Sequence, residues 1–184
     1  MKPSILFILL LLLLPVSVAI QDLLPSLPPS QERIQLLPVL FCFGALALPL
    51  VPALYFGLAA GVVQGLALLQ SQSGQAELGL CLPILFFLGW AIILQMASEA
   101  TRGMRWELHS LGSALTTLSL IGGEFLVLCL KRGGLPIDET VMLRIAAPSA
   151  AALLISPILY FSLRSLVPFS LDTPTPKKQL SFDR

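Results

Sequence analysis

Six long apolar runs, separated by short polar stretches, make up most of the chain. They cover residues 4–20, 34–48, 53–70, 78–98, 108–130 and 143–164. A membrane-spanning helix needs about 20 mostly apolar residues, with a range of about 17 to 25. The runs are continuous and lack the alternation of a barrel strand, and lipid offers no partner for exposed backbone groups, so they predict helices. The pattern therefore predicts an all-α membrane bundle of six transmembrane helices.

The first two runs allow different interpretations. Lys2, the apolar stretch 5–14 and the small residues 17–19 also fit a secretory signal peptide, whose removal would leave five helices. The second run is short, and the uncharged turn "PLVP" follows it. Because proline fixes φ and removes a donor, Pro49 and Pro52 predict a tight hairpin between the second and third helices.

The third run carries a glycine at every fourth position. In the stretch "YFGLAAGVVQGLALL" (55–69), Gly57, Gly61 and Gly65 recur on one side of a helix, and Ala53 extends that side by one turn. Helices in lipid gain little by hiding apolar surface, so small residues collect where two backbones approach closely. These four residues predict a contact face. The pattern leaves open whether this face meets another helix of the chain or a second protein.

Composition favours lipid as the medium around these helices. The chain of 184 residues is 56% hydrophobic and 11% charged, with a mean hydropathy of +0.90. Soluble domains carry about 25% charged residues, so this chain has too few of them for a surface in water. A net charge of +1 also gives no case for nucleic-acid binding, which needs a basic patch.

The positions of lysine and arginine predict the orientation. With the N-terminus inside, seven of these residues fall on the inner face: Lys2, Arg102, Arg105, Arg164, Lys177, Lys178 and Arg184. Four fall on the outer face: Arg33, Lys131, Arg132 and Arg144. The excess predicts that both termini lie in the cytoplasm, and that residues 165–184 form a disordered cytoplasmic tail.

Glu124 is a carboxylate well inside an apolar run. An ionisable group at such depth is costly and is by default a functional hypothesis. We expect it to pair with Arg144 as a structural brace. A protonated Glu124 bonded to Thr117, and a proton or ligand site, are the alternatives. Gln64 and Gln95 are expected to hydrogen-bond across helices.

The sequence offers no pattern that indicates catalysis or metal binding. His109 has no second ligand candidate nearby, and we expect a satisfied or solvated histidine at the membrane edge. Cys42, Cys81 and Cys129 lie in apolar runs without CxxC spacing. There is no Ser/His/Asp constellation and no phosphate loop. We therefore expect no enzyme activity, no cofactor and no metal.

The order of these features resembles the rod-shape-determining protein MreD family. A first span, a proline-rich loop, a short helix and a glycine-bearing helix precede the polar break "QSQSGQAE" and the stretch "LGLCLPILFFLGWAI". The resemblance covers about residues 4–164. The matching positions are Gly57, Gly61, Leu78 and Gly79. Where the family commonly has an acidic residue after the glycines, this chain has Gln64 and Gly65.

The resemblance implies a non-enzymatic subunit of the cell-elongation machinery in the bacterial inner membrane, contributing to rod shape and to peptidoglycan synthesis. The implied partners are the bitopic protein MreC and, through it, the actin-like MreB and the peptidoglycan synthases. Kinship of fold with the substrate-binding subunits of energy-coupling-factor transporters implies an alternative, a subunit that binds a vitamin. The sequence favours the scaffold, because its outer halves supply few convergent polar groups for a ligand pocket.

Overall fold

A computed structural model describes residues 3–25, 33–71, 81–101, 106–134 and 138–165, which fold into six α-helices. The helices are α1 (Pro3–Leu23), α2 (Leu36–Ala47), α3 (Leu50–Ser71), α4 (Cys81–Ala100), α5 (Trp106–Arg132) and α6 (Glu139–Arg164). These described ranges contain no strand. The predicted all-α membrane bundle is confirmed, and most of the predicted tail, 166–184, lies outside the described residues.

Five of the helices, α1 and α3 to α6, are long and apolar enough to cross a membrane. Their exposed positions carry large apolar side chains such as Leu12, Leu66, Leu85, Leu126 and Ile158. A soluble protein rarely exposes so much contiguous apolar surface, whereas lipid tails cover it without cost. The chain is a multi-pass membrane protein.

The second helix, α2, is different from the others. Its 12 residues extend about 18 Å, whereas the hydrocarbon core of a bilayer is about 30 Å thick. Residues 37–47 are all buried, and α2 packs against each of the five other helices. The predicted span 34–48 is therefore a short central helix, too short to cross the hydrocarbon core on its own.

Aromatic rings from α2, α3 and α4 fill the space beside this central helix. The ring of Phe41 is stacked on that of Phe56 at 6.4 Å between centroids, and it meets Phe87 edge-on at 4.7 Å. All three side chains are fully buried. Aromatic pairs at these distances are attractive beyond the area that they bury. The cluster therefore fixes α2 against the α3–α4 pair.

The first helix is packed into the bundle by leucines that are one turn apart. Leu6, Leu10 and Leu14 are exposed by 3%, 1% and 1%, and the Ser17 hydroxyl donates to the Leu14 carbonyl oxygen at 2.7 Å. α1 contacts α2 and α3. The alternative in which this segment is a cleaved signal peptide stays a prediction, which the mass of the purified chain tests.

The third and sixth helices begin three and four residues earlier than predicted. α3 starts at Leu50, so Pro52 lies in its first turn, where the missing N–H breaks no helical bond. The turn after α2 is therefore shorter than 49–52. α6 starts at Glu139 and not at residue 143, because the Asp138 carboxylate accepts from the Glu139 N–H at 2.7 Å and caps the helix.

Candidate functional site

Gly57 and Gly61 form a close crossing between α3 and α4. A Cβ placed on Gly61 would lie 2.5 Å from the Cα of Ile84, and one on Gly57 would lie 3.2 Å from the Phe87 carbonyl oxygen. Both of these contacts involve backbone atoms, which cannot rotate away as a side chain can. At these two positions, the predicted contact face is therefore used within the chain, against α4.

The remainder of this side of α3 is also buried. Ala53 has no exposed surface, and Gly65 is buried. Gln64 is only 3% exposed, and its Oε1 atom is closed to solvent without a hydrogen-bond partner. The predicted hydrogen bond across helices is therefore not formed by this oxygen. Its neighbours on α3, Ala60 and Gly61, have no side-chain donor to offer.

Two more glutamines lie at the N-terminal end of α2. The Leu36 N–H donates to Oε1 of Gln21 on α1 at 3.2 Å, which satisfies one free backbone donor of this helix end. Gln35 occupies the N-cap position of α2, but its side chain makes no capping bond. Its Oε1 atom is buried and has no hydrogen-bond partner.

Gln95 of α4 caps the other end of α2. Its Nε2 group donates to the carbonyl oxygens of Ala45 and Leu48, the latter at 2.7 Å. The last carbonyls of a helix have no partner within the helix, and burying them unsatisfied is costly. Gln95 thereby allows α2 to end inside the protein. The predicted hydrogen bonding of Gln95 across helices is confirmed.

A buried polar cluster joins α2, α5 and α6. The ring of His109 has no exposed surface; its Nδ1 lies 2.7 Å from the Ser156 hydroxyl and its Nε2 lies 3.2 Å from the Val39 carbonyl oxygen. Because a carbonyl only accepts, we assign the hydrogen to Nε2, so that Nδ1 accepts from Ser156. The Ser113 hydroxyl lies 3.0 Å from that of Ser156 and donates to the His109 carbonyl oxygen at 2.7 Å. A neutral histidine thus links three helices.

The cluster is extended on the α2 side by sulfur and aromatic contacts. Sγ of Cys42 lies 3.4 Å from Oγ1 of Thr116 on α5. The rings of Phe43 and Tyr160 flank the His109 ring, with centroids 6.0 and 5.5 Å away. Polar atoms and rings together therefore hold α5 and α6 to the central helix.

A serine hydroxyl that donates to an imidazole resembles the pair that activates a nucleophile. Here both Ser156 and His109 have 0% exposure, and the second ring nitrogen bonds a carbonyl and not a carboxylate. A buried network whose members are satisfied rigidifies a fold and specifies its packing. The geometry of this pair therefore supports a structural role.

The sequence predicted a satisfied or solvated histidine at position 109; the structure shows the satisfied form, fully buried, and Ser156 as a partner that was not predicted. The two residues are 47 positions apart and lie on different helices. One signal was available: His109, Ser113 and Thr116 recur at helical spacing in a mostly apolar run. A polar stripe inside a spanning helix indicates a side that faces the protein.

The predicted brace between Glu124 and Arg144 is not formed. Arg144 is exposed and makes no ion pair with any described residue. Ile145 faces α5, with its Cγ2 atom 4.0 Å from a Cβ placed on Gly122, so Arg144 points about 100° away around α6. Glu124 is half-buried. Thr117, the alternative partner, donates its hydroxyl hydrogen to a carbonyl one turn earlier at 2.8 Å.

A groove of about 530 Å³ lies at the start of α6 and is open to the surroundings. Its described lining consists of Asp138, Glu139, Met142, Leu143 and Ala146. These residues all belong to one end of one helix. The groove therefore presents a shallow, mostly apolar surface and few convergent polar groups.

No family model, no curated protein and no solved structure matches this chain. The fold and the site thus define a class: a polytopic helical membrane protein with a buried central helix, a glycine-mediated helix pair and a closed polar cluster.

Proposed function

We propose that the chain is a non-enzymatic subunit of the bacterial cell-elongation machinery, as the resemblance to the MreD family implies. In this proposal it lies in the inner membrane with both termini in the cytoplasm. It contributes to rod shape and to the regulation of peptidoglycan synthesis by binding a bitopic partner of the MreC type. The helix order, with a short second helix before a glycine-bearing third, supports the proposal.

The close packing of the described residues around α2 is the observation that carries this choice over the vitamin-binding alternative. A small-molecule site needs a cavity of about 300–1,000 Å³ with several convergent polar groups. Beside α2, the rings of Phe41, Phe56 and Phe87 occupy the interior. The nitrogens of His109 are used in bonds to the protein itself. Such packing around α2 suits a subunit that binds proteins at its surface.

The absence of enzyme activity is part of the same proposal. Ser156 and His109 could suggest hydrolysis, but a substrate would have to enter the fully buried core to reach them. We assign both residues to helix packing.

Depletion in a rod-shaped host tests the proposed function. Loss of the protein should round or bulge the cells, and the wild-type gene should restore rods. Leu66→Ala is the matched control, because Leu66 is 53% exposed and faces away from the helix pair. Gly61→Leu should fail to restore shape, because its side chain would collide with the backbone of α4. Unchanged cell shape on depletion would contradict the proposal.

The transporter alternative has its own readout. The purified protein, denatured and analysed by mass spectrometry, would release a stoichiometric metabolite if it were a vitamin-binding subunit. Under the proposed function it releases none, and the tagged protein retains the MreC-type bitopic protein co-expressed from the same host.

A further inference from the structure

Among the described residues, two buried amide oxygens have no hydrogen-bond partner: Oε1 of Gln35 and Oε1 of Gln64. An unsatisfied buried acceptor destabilises a fold, and most buried polar groups are paired. A leucine or methionine would fill the place of Gln64 without this cost. The retention of a polar group inside a membrane bundle is a functional hypothesis that calls for a named partner.

Gln35 and Gln64 lie at about the same height along the bundle. α2 and α3 are joined by a two-residue turn and run antiparallel, and Gly44 of α2 contacts Phe56 of α3. Counting eight residues back from Gly44 gives Leu36, and eight residues on from Phe56 gives Gln64. Each step covers about 12 Å of helix, so Gln64 is level with the first residue of α2. Gln35 directly precedes that residue.

The two glutamine oxygens and the N-terminus of α2 determine which kind of group can bind here. The unpaired Oε1 atoms of Gln35 and Gln64 are both acceptors, so the group that binds them must be a hydrogen-bond donor. The N-terminus of α2, whose N-cap residue is Gln35 and with which Gln64 is level, carries a partial positive charge that opposes a cation. The Leu36 N–H is already bound to Gln21. An uncharged hydroxyl, amide or indole N–H therefore fits best.

We propose that Gln35 and Gln64 accept hydrogen bonds from an uncharged side chain on the spanning helix of the bitopic partner. This inference rests on the proposed function, and it names the residues through which the chain would contact the bitopic partner. Gln64 lies seven residues, or about 10 Å, below the end of α3 at Ser71 and within a candidate span. A side chain of a neighbouring spanning helix is already at this depth, whereas a solute from water would have to descend to it.

The proposed bond requires a change of side-chain conformation, because Gln64 is only 3% exposed in this structure. The glutamine side chain has three rotatable bonds, and Gln35 is only half-buried. In the proposal, rotation of the amides toward the surface brings their oxygens to a helix that lies against this end of the bundle. A hydrogen bond to the partner then satisfies an oxygen that has no partner in the isolated protein, which favours binding.

The test uses Gln64→Met, which keeps the length of the side chain and removes the amide. The wild type and the variant are each purified alone and also co-expressed with the MreC-type protein of the same host. Alone, Gln64→Met should melt at the same temperature as the wild type or higher, because no bond is lost. Retention of the partner should fall about five- to tenfold, the loss of roughly one hydrogen bond. Gln35→Met should act in the same direction.

Gln95→Met is the control, because the amide of Gln95 is already satisfied within the chain. It should lower the melting temperature of the isolated protein, and the fraction that remains folded should retain the partner like the wild type. If both Gln64→Met and Gln35→Met retain the partner fully, the present proposal is overturned and the proposed function stands. If the wild type itself retains no partner, both are overturned.

Discussion

Replacement of Gly61 by alanine tests the close backbone contact between α3 and α4. The new Cβ would lie 2.5 Å from the Cα and 2.9 Å from the backbone nitrogen of Ile84. Real Cβ atoms do not approach backbone this closely, so α3 and α4 must separate. Gly89 on α4 provides a matched control, because a Cβ placed there meets nothing within 4 Å. Both changes add one methyl group to a glycine inside a helix.

The difference between the two variants isolates the collision. Alanine is a better helix former than glycine by about 1 kcal/mol, and this gain applies to both variants. Relieving the contact at Gly61 requires a separation of about 1 Å, and a gap of that size forfeits about a quarter to a half of each dispersion contact that it opens. Overpacking of this kind costs about 1–3 kcal/mol. We therefore expect Gly61→Ala to be less stable than Gly89→Ala by about 1–3 kcal/mol.

Unfolding of the detergent-solubilised protein, followed by tryptophan fluorescence, measures this difference. Trp90 reports on the moving helix, because its Nε1–H donates to the Ser119 hydroxyl of α5 at 2.6 Å. A shift of α4 should change its emission before global unfolding in Gly61→Ala and not in Gly89→Ala. Equal stability of the two variants would refute the reasoning, because the backbone contact would then have no energetic consequence.

Three further substitutions test the polar contacts by the same unfolding assay. Ser156→Ala should lower the free energy of unfolding by about 1–3 kcal/mol, because it leaves a buried nitrogen of His109 unsatisfied. Ser162→Ala is the control, since it changes an exposed residue and should stay within about 0.5 kcal/mol of the wild type. Equal losses of stability in the two variants would argue against the cluster. Gln95→Met strips the donor from two buried carbonyls and should cost about 2–4 kcal/mol, and a neutral result would mean that α2 ends differently. Ser110→Ala should be neutral or stabilising, since the Ser110 hydroxyl is buried without a partner, so a clear loss of stability would show that a partner exists.

Much of the fold could be predicted because a bilayer imposes strong constraints on sequence. A run of apolar residues in lipid must satisfy its own backbone, so the positions of the helices follow from hydropathy alone. The glycine spacing likewise predicted a close contact, and Gly57 and Gly61 do make one. Which helix they meet was not predictable, because Ile84 and Phe87 belong to a run with no matching small-residue pattern.

The long-range polar contacts could not be predicted because they depend on the rotation of each helix. Arg144 and Glu124 were near enough along the chain to suggest an ion pair, but α6 turns Ile145 toward α5 and Arg144 outward. A rotation of about 100° separates neighbouring residues, so a small error in helix phase exchanges one side chain for another. The contact between Ser156 and His109 likewise depends on how α5 and α6 are rotated, so it could not be predicted from the sequence.

The central helix explains why this bundle keeps polar groups at all. A helix of 12 residues surrounded by five others cannot place both ends in water, so its free N–H and carbonyl groups need partners from neighbouring helices. Gln21 of α1 supplies the acceptor at one end and Gln95 of α4 supplies the donor at the other. The glycine contact and the histidine cluster are likewise used inside the chain. Among the described residues, the buried amide oxygens of Gln35 and Gln64 still lack a donor, and our proposal assigns that donor to a partner.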